Sequence, residues 1–259
     1  MDVVCAELPP EGARIHTNVS IHAGGSAVNA AVAAAEAGAA ATVIGRVGSD
    51  PSAELISRAL ADRDIVGELA RDSELTTGVA VALGASVVAQ RGANAGLAPH
   101  DIPERIEADA LLVSGFALFQ AGSTDAARAA LERFGGRWAA VDLASPKLAD
   151  LELATGADVI LATADEARAV TGAEPAEAAR ILAARFELAC VKLGENGAIA
   201  VRGSHLGRAA ADPVQRRTAF GAGDAFAGAL LVALARDDPL ERALDLACEA
   251  GARAVGQPG

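Results

Sequence analysis

The chain has no tyrosine, one tryptophan and one methionine, and aromatic residues make up only 3% of its 259 positions. That leaves little with which to build the flat, ring-lined slot a nucleobase usually takes. Basic residues are also scarce: 22 Lys and Arg stand against 34 Asp and Glu, a formal net charge of −12. A nucleic-acid groove or a surface for anionic lipid needs the opposite sign, so neither partner is expected. The three cysteines, Cys5, Cys190 and Cys248, are scattered and have no histidine cluster beside them. This fits reduced thiols in a cytoplasmic protein better than a disulfide framework or a zinc site. No apolar run reaches the roughly 18–20 residues of a membrane span without a charge or turn signal. The start, M-D-V-V-C-A-E-L-P-P-E-G, lacks the basic end and apolar core of a signal peptide. An acidic chain can still hold a phosphorylated ligand if backbone N–H groups and a metal ion supply the positive field.

What the chain does have is apolar residues, 52% of the total, enough for a sizeable core. Alanine-rich segments with helical spacing cover Ser26–Ala37, Ala126–Phe134 and Ala176–Phe186. Short apolar runs alternate with them at Ala41–Ile44, Ala110–Ser114, Trp138–Leu143, Val159–Ala162 and Ala189–Leu193. Runs of this length without polar alternation suit strands covered on both faces. The alternation with helices predicts βαβ units: an α/β fold with a mostly parallel central sheet, in one domain over residues 1–259. Ala13–His22 and Thr77–Gln90 break the rhythm, being β-branched, partly alternating and not followed by a helix. They read as antiparallel strands, either a small β lid over a ligand crevice or an edge hairpin on the main sheet; pattern alone leaves both open.

Two stretches carry candidate chemistry. In T-A-F-G-A-G-D-A-F-A-G-A-L-L, Thr218–Leu231, a single carboxylate, Asp224, stands among small and apolar residues. Gly221, Ala222 and Gly223 precede it and Ala225–Ala233 reads as a helix, so the segment is a helix N-terminus with free N–H groups, an anion hole. Asp224 is then either a simple helix cap or a functional acid. A Walker A loop is excluded because no lysine follows, and a dinucleotide fingerprint because Phe226 and the polar Q-R-R-T upstream do not fit it. An anion hole with its own carboxylate suits phosphoryl transfer to an alcohol: the acid accepts the hydroxyl proton while N–H groups stabilise the transferring group. The second stretch, A-G-G-S-A-V-N-A-A at Ala23–Ala31, pairs Gly24 and Gly25, which let backbone approach a ligand, with Asn29, which can donate and accept toward a sugar diol.

Together the two stretches resemble the signatures of the ribokinase-like (PfkB) carbohydrate kinases. G-G-S-A-V-N-A-A followed by Gly38 and Gly48 is similar to the first signature, and G-A-G-D-A-F-A-G-A-L-L to the core of the second. Between them V-I-G-R-V-G-S-D-P, T-T-G-V-A-V, R-G-A-N, A-D-E-A and V-K-L-G-E-N-G follow in family order, so the resemblance spans nearly the whole chain. It implies a three-layer α/β sandwich with a β lid, formed by strands within about residues 2–22 and 77–91, that often mediates homodimerisation. It implies ATP-dependent phosphorylation of a sugar or sugar-like alcohol with Mg²⁺. By resemblance Asp224 is the catalytic base and Gly221, Ala222 and Gly223 the anion hole. Asp2, Gly24, Gly25, Asn29 and Asn94 bind the acceptor, and Lys192, Gly194 and Gly197 belong to the nucleotide loop. Glu166 acts on Mg²⁺ indirectly, through water.

The chain departs from the family pattern at four places. Relatives have a core strand ahead of the lid aspartate; this sequence starts at Met1–Asp2, so that strand is expected to be missing, as is an element beyond G-Q-P-G. Thr163 stands where the family's N-x-x-E motif has Asn, and Thr218-Ala219-Phe220 where relatives have Asp-Thr-Thr or similar. The latter change speaks against a monovalent-cation site. A sugar kinase is the first reading; a nucleoside kinase of the same family, or a non-catalytic relative that binds ligand or partner through the lid, are the alternatives.

Overall fold

The computed structural model describes residues 1–5, 10–83, 86–211, 213 and 221–256. Thr218–Phe220, with the question of a monovalent-cation site, lie outside the described residues. In chain order the elements are β1 (Asp2–Cys5), β2 (Val19–His22), α1 (Ser26–Glu36), β3 (Thr42–Gly48), α2 (Pro51–Ala61), β4 (Val66–Asp72), β5 (Val79–Leu83), β6 (Ser86–Gln90), β7 (Ala110–Ser114), α3 (Gly115–Leu118), α4 (Thr124–Arg133), β8 (Trp138–Asp142), β9 (Val159–Thr163), α5 (Ala164–Thr171), α6 (Pro175–Ala183), β10 (Leu188–Lys192), β11 (Ala198–Arg202), β12 (His205–Ala209), α7 (Ala222–Ala235) and α8 (Leu240–Gly256).

A six-stranded sheet of order β12-β11-β10-β9-β8-β7 forms the core. Its pairings from β7 to β10 are parallel, and β11 and β12 are antiparallel additions at one edge. Alternate residues of each strand enter separate cores. Val141, Ile160, Ala189 and Val191 meet helices α4, α5 and α6 on one face, while Trp138, Ala140, Val159 and Leu188 meet α7 and α8 on the other. Both faces are covered, which is why these strands read as unbroken apolar runs. The parallel pair β3–β4 forms a separate two-stranded sheet, and α1 packs against both β3 and β7. Arg46 on β3 is fixed at 2.9 Å to Asp72 and 3.0 Å to Asp101. Among the described residues no helix is long and apolar enough to cross a membrane.

The lid is a four-stranded sheet of its own, order β2-β1-β5-β6, rather than an edge hairpin on the core. The segment Thr77–Gln90 forms the β5–β6 antiparallel pair. Of Ala13–His22, read as an antiparallel strand, Val19–His22 is paired with β1 among the described residues, Cys5 facing Val19. Asp2 opens β1, which pairs with β5 in parallel on its other side, so it belongs to the lid.

Helix α7 is apolar on every side, with Ala225–Leu234 all buried. Such a helix must be enclosed rather than lie at the surface, and α1 and α8 both pack along it. The α1–α7 approach is close: a Cβ on Gly228 would stand 2.2 Å from the Ala30 carbonyl oxygen, so only glycine fits there. This contact fixes the two helix N-termini side by side.

Candidate active site

Helix α7 begins three residues earlier than the apolar pattern suggested. Gly221 is its N-cap, at a φ of 84° that favours glycine, and Asp224 lies in the first turn. Asp224 is therefore not the cap. The first intrahelical bond runs from Ala225 N to the Gly221 carbonyl, so the N–H groups of residues 221–224 have no intrahelical partner, and the helix dipole adds to the positive field they make. Asp224 Oδ2 accepts a hydrogen bond of 3.0 Å from Asn29 Nδ2, and Ser26 lines the same cavity as the aspartate. Burial pushes the Asp224 carboxyl above the usual aspartate range, and Asp142 adds to this, against the lowering effects of Asn29, Lys192 and Ser26.

On the lid side, the Asp2 carboxylate is buried and lies where a side chain on Gly24 would be: a Cβ there would come within 2.1 Å of Asp2 Oδ2. Gly25, the N-cap of α1 at φ 101°, points its N–H at the same oxygen from 3.4 Å. Burial raises the Asp2 pKa, offset first by the Met1 ammonium and then by the Gly25 N–H and the Asn29 side chain. Asn29 thus bonds the core acid and lines one cavity with the lid acid.

Two cavities flank the Asn29–Asp224 hydrogen bond, Asn29 lining one and Asp224 the other. One of about 380 Å³ is lined by Asp2, His22, Asn29 and Gly221, with Val28, Val32 and Ala225 in its apolar wall. The other, about 160 Å³, is lined by Ser26, Ser114, Asp142, Glu166, Lys192 and Asp224. Ser114, Asp142 and Lys192 end strands β7, β8 and β10, so the smaller cavity lies at the carboxyl ends of parallel strands, where open α/β sheets hold ligands. Lys192 Nζ donates to both Asp142 oxygens at 2.8 and 2.6 Å. Burial works against its charge, but Asp142 outweighs this and the Lys192 pKa is raised. A Cβ on Gly223 would be 3.3 Å from Lys192 Nζ, which places the ammonium against the start of α7. Glu166 closes a capping box: its Oε2 accepts from Thr163 N at 2.7 Å and its N–H reaches Thr163 Oγ1 at 3.3 Å. The threonine that replaces the family asparagine therefore holds Glu166 in place. Burial raises the Glu166 pKa.

The fold thus brings together Asp2, Gly24, Gly25, Asn29, Gly221, Ala222, Gly223, Asp224, Glu166 and Lys192. It does not bring Asn94 into this group: Asn94 is exposed in a 3₁₀ turn, beside Gly45, and lines neither cavity. Gly194 and Gly197 open and close the turn between β10 and β11 and also line neither cavity. Asp142 and Ser26 were missed. Asp142 had the same sequence signal as Asp224, a lone acid at the end of an apolar run, here W-A-A-V-D.

The fold thus sets a helix N-terminus with its own carboxylate beside an ammonium and between two cavities, at the carboxyl ends of parallel strands in an α/β enzyme. The chain belongs to the pfkB family of carbohydrate kinases, whose model matches residues 1–259. Among solved structures it is similar to the adenosine kinase of Sinorhizobium meliloti, with 25% identity, TM-score 0.83, and coverage of 93% of this chain and 80% of that one. It is also similar to the ribokinase of Thermotoga maritima, with 25% identity, TM-score 0.83, and coverage of 100% and 90%. An E. coli structure described as a Ribokinase II in complex with ATP and Mg²⁺ shares the fold at TM-score 0.85 and 20% identity, covering 100% of this chain and 90% of that one. No curated protein matches the chain.

The raised Asp224 pKa has a consequence for stability. A carboxyl whose folded pKa is raised binds its proton more tightly in the native state than in the unfolded chain. Its stabilising effect is complete below the ordinary aspartate pKa and is lost as pH rises through the folded value. Asp224→Asn keeps an acceptor for Asn29 and removes the buried charge. Thermal unfolding is expected to show a higher Tm than wild type at about pH 7.5, with the gain shrinking toward about pH 4. An equal or lower Tm at the higher pH would contradict the burial of this charge.

Proposed function

We propose that the chain transfers the γ-phosphoryl group of ATP to a hydroxyl of a sugar or sugar-like acceptor, with Asp224 as general base. The observation that carries this reading is the Asn29–Asp224 hydrogen bond, with a mostly apolar cavity that holds Asp2 on the asparagine side and a cavity holding three acids and Lys192 on the aspartate side. The acceptor occupies the larger cavity, its hydroxyls gripped by Asp2 and Asn29. Its reacting hydroxyl gives its proton to Asp224 as the new O–P bond forms and the bond to the ADP oxygen breaks. Backbone N–H groups over Gly221–Gly223 and the Lys192 ammonium face the charge on the transferring group. Gly194 and Gly197, in the turn following Lys192, are assigned to the nucleotide side.

Mg²⁺ fits the smaller cavity by its donor set. That ion keeps several waters and takes one or two carboxylates beside substrate phosphates, and Asp142 and Glu166 both line this cavity. When bound, it neutralises phosphate charge. Glu166, held by the Thr163 capping box, would orient its waters, and Asp142 would shift between the metal and Lys192. A nucleoside acceptor is the second reading, favoured by one observation. The larger cavity, at about 380 Å³ with Val28, Val32, Leu55 and Ala225 in its wall, has room beyond a sugar ring.

The lid is proposed to bind a second copy of the chain. Cross-strand register places Val3, Ile21, Val81 and Val88 in one row on a single face, and Val19, Ile21, Val87 and Val88 are each more than half exposed. Sedimentation velocity is expected to show a dimer that Val88→Lys converts to monomer. A wild-type monomer at tens of micromolar would contradict this.

A positioned general base contributes about 10²–10⁴-fold to rate. Asp224→Asn is accordingly expected to lose turnover by that factor while titration calorimetry shows ATP·Mg²⁺ binding within about threefold of wild type. In the wild type, turnover should fall on the acid side at a pH above the ordinary aspartate range, because the base must be ionised. Unchanged turnover in the variant would remove Asp224 from the catalytic role.

A further inference from the structure

His22 was not singled out by the sequence, yet it lies in the acceptor cavity. It ends β2 and pairs directly with Asp2 across the antiparallel ladder. Opposite residues of such a pair project from the same face of the sheet, and both line the larger cavity together with Asn29. Asp2 accepts a hydrogen bond from the Gly25 N–H at 3.4 Å. His22 Nε2 is different: it is buried, and it has no hydrogen-bond partner among the described residues. Buried polar atoms are nearly always paired, and an orphaned one at a cavity wall is satisfied when a ligand supplies the partner.

We infer that His22 is a specificity-determining residue of the acceptor site, its Nε2 bonding a hydroxyl next to the one gripped by Asp2. An ionised carboxylate only accepts, whereas an imidazole nitrogen accepts or donates according to tautomer. Two such groups on adjacent strands address neighbouring hydroxyls, so the ligand class is a polyol with a vicinal diol at this end, whether a free sugar or the ribose of a nucleoside. The inference rests on the acceptor side of the proposed function and requires no phosphoryl transfer.

The test is therefore a binding experiment. The ring resonances of the four histidines, assigned with a His22→Phe variant, are followed by NMR without nucleotide. The titrants are D-ribose, D-fructose, D-glucose, glycerol, adenosine and the monodeoxy analogues of each sugar. At least one diol-bearing member is expected to shift the His22 ring. For that ligand His22→Phe should weaken binding about tenfold, the worth of one hydrogen bond, and His22→Gln should recover most of the loss. The analogue lacking the contacted hydroxyl should bind wild type and His22→Phe alike. A lower Tm in His22→Phe with diol-to-deoxy discrimination unchanged would mean a packing role only and overturn the inference, as would a His22 ring that no member of the panel shifts. A His22 response in a chain that transfers no phosphate would sink the kinase reading and leave this one standing.

Discussion

One hydrogen bond organises the site: the 3.0 Å contact from Asn29 to Asp224, two residues 195 positions apart. It exists because α1 and α7 touch closely enough for only a glycine, Gly228, to pass the Ala30 carbonyl. Close packing between buried helices tolerates little displacement, so the two N-termini are held in one relation. From that relation follow the helix-start N–H groups over Gly221–Gly223, the carboxylate among them, and the asparagine that stands in one cavity with the lid acid. The lid completes the arrangement, since Asp2 fits beside Asn29 only where Gly24 has no side chain.

The electrostatics of the smaller cavity explain why such a site carries cost. Asp142, Glu166 and Asp224 share it with one ammonium, that of Lys192. Lys192 is committed to Asp142 at hydrogen-bond distance, so the other two acids are held largely by dipoles: a capping box for Glu166, and Asn29 and Ser26 for Asp224. Burial raises the pKa of both. A fold optimised for stability alone would not keep this set; the proposed transfer, in which an acid takes a proton from an alcohol and an ammonium faces a phosphate, gives it a reason to.

Much of the core was legible because it follows from burial. Ala110–Ser114 is a strand over the residues its apolar run marked, since both faces of the sheet are covered. The start of α7 was not, because Ala222 and Gly223 give no apolar period and only the left-handed Gly221 marks the cap. The lid was half legible: its hairpin has β-branched residues, but β1 is four residues long and its pairing depends on β2 and β5. Asp224 and Asn29 were readable from motif, and their contact was not, since spacing along a chain does not measure distance across it. Asp142 reads as the end of a strand, and its pairing with Lys192 is a property of the packed sheet that the sequence does not carry. His22 carried no signal, because an unpaired nitrogen is a property of the packed structure.

The central claim is that this arrangement moves a phosphoryl group from ATP to an alcohol. ³¹P NMR of the chain with ATP, Mg²⁺ and, in turn, a panel of sugars and nucleosides tests it directly. The account predicts a new phosphate-monoester resonance growing in step with ADP for at least one acceptor. Nucleotide signals unchanged across the panel, with the chain shown folded by circular dichroism in the same tube, would contradict it.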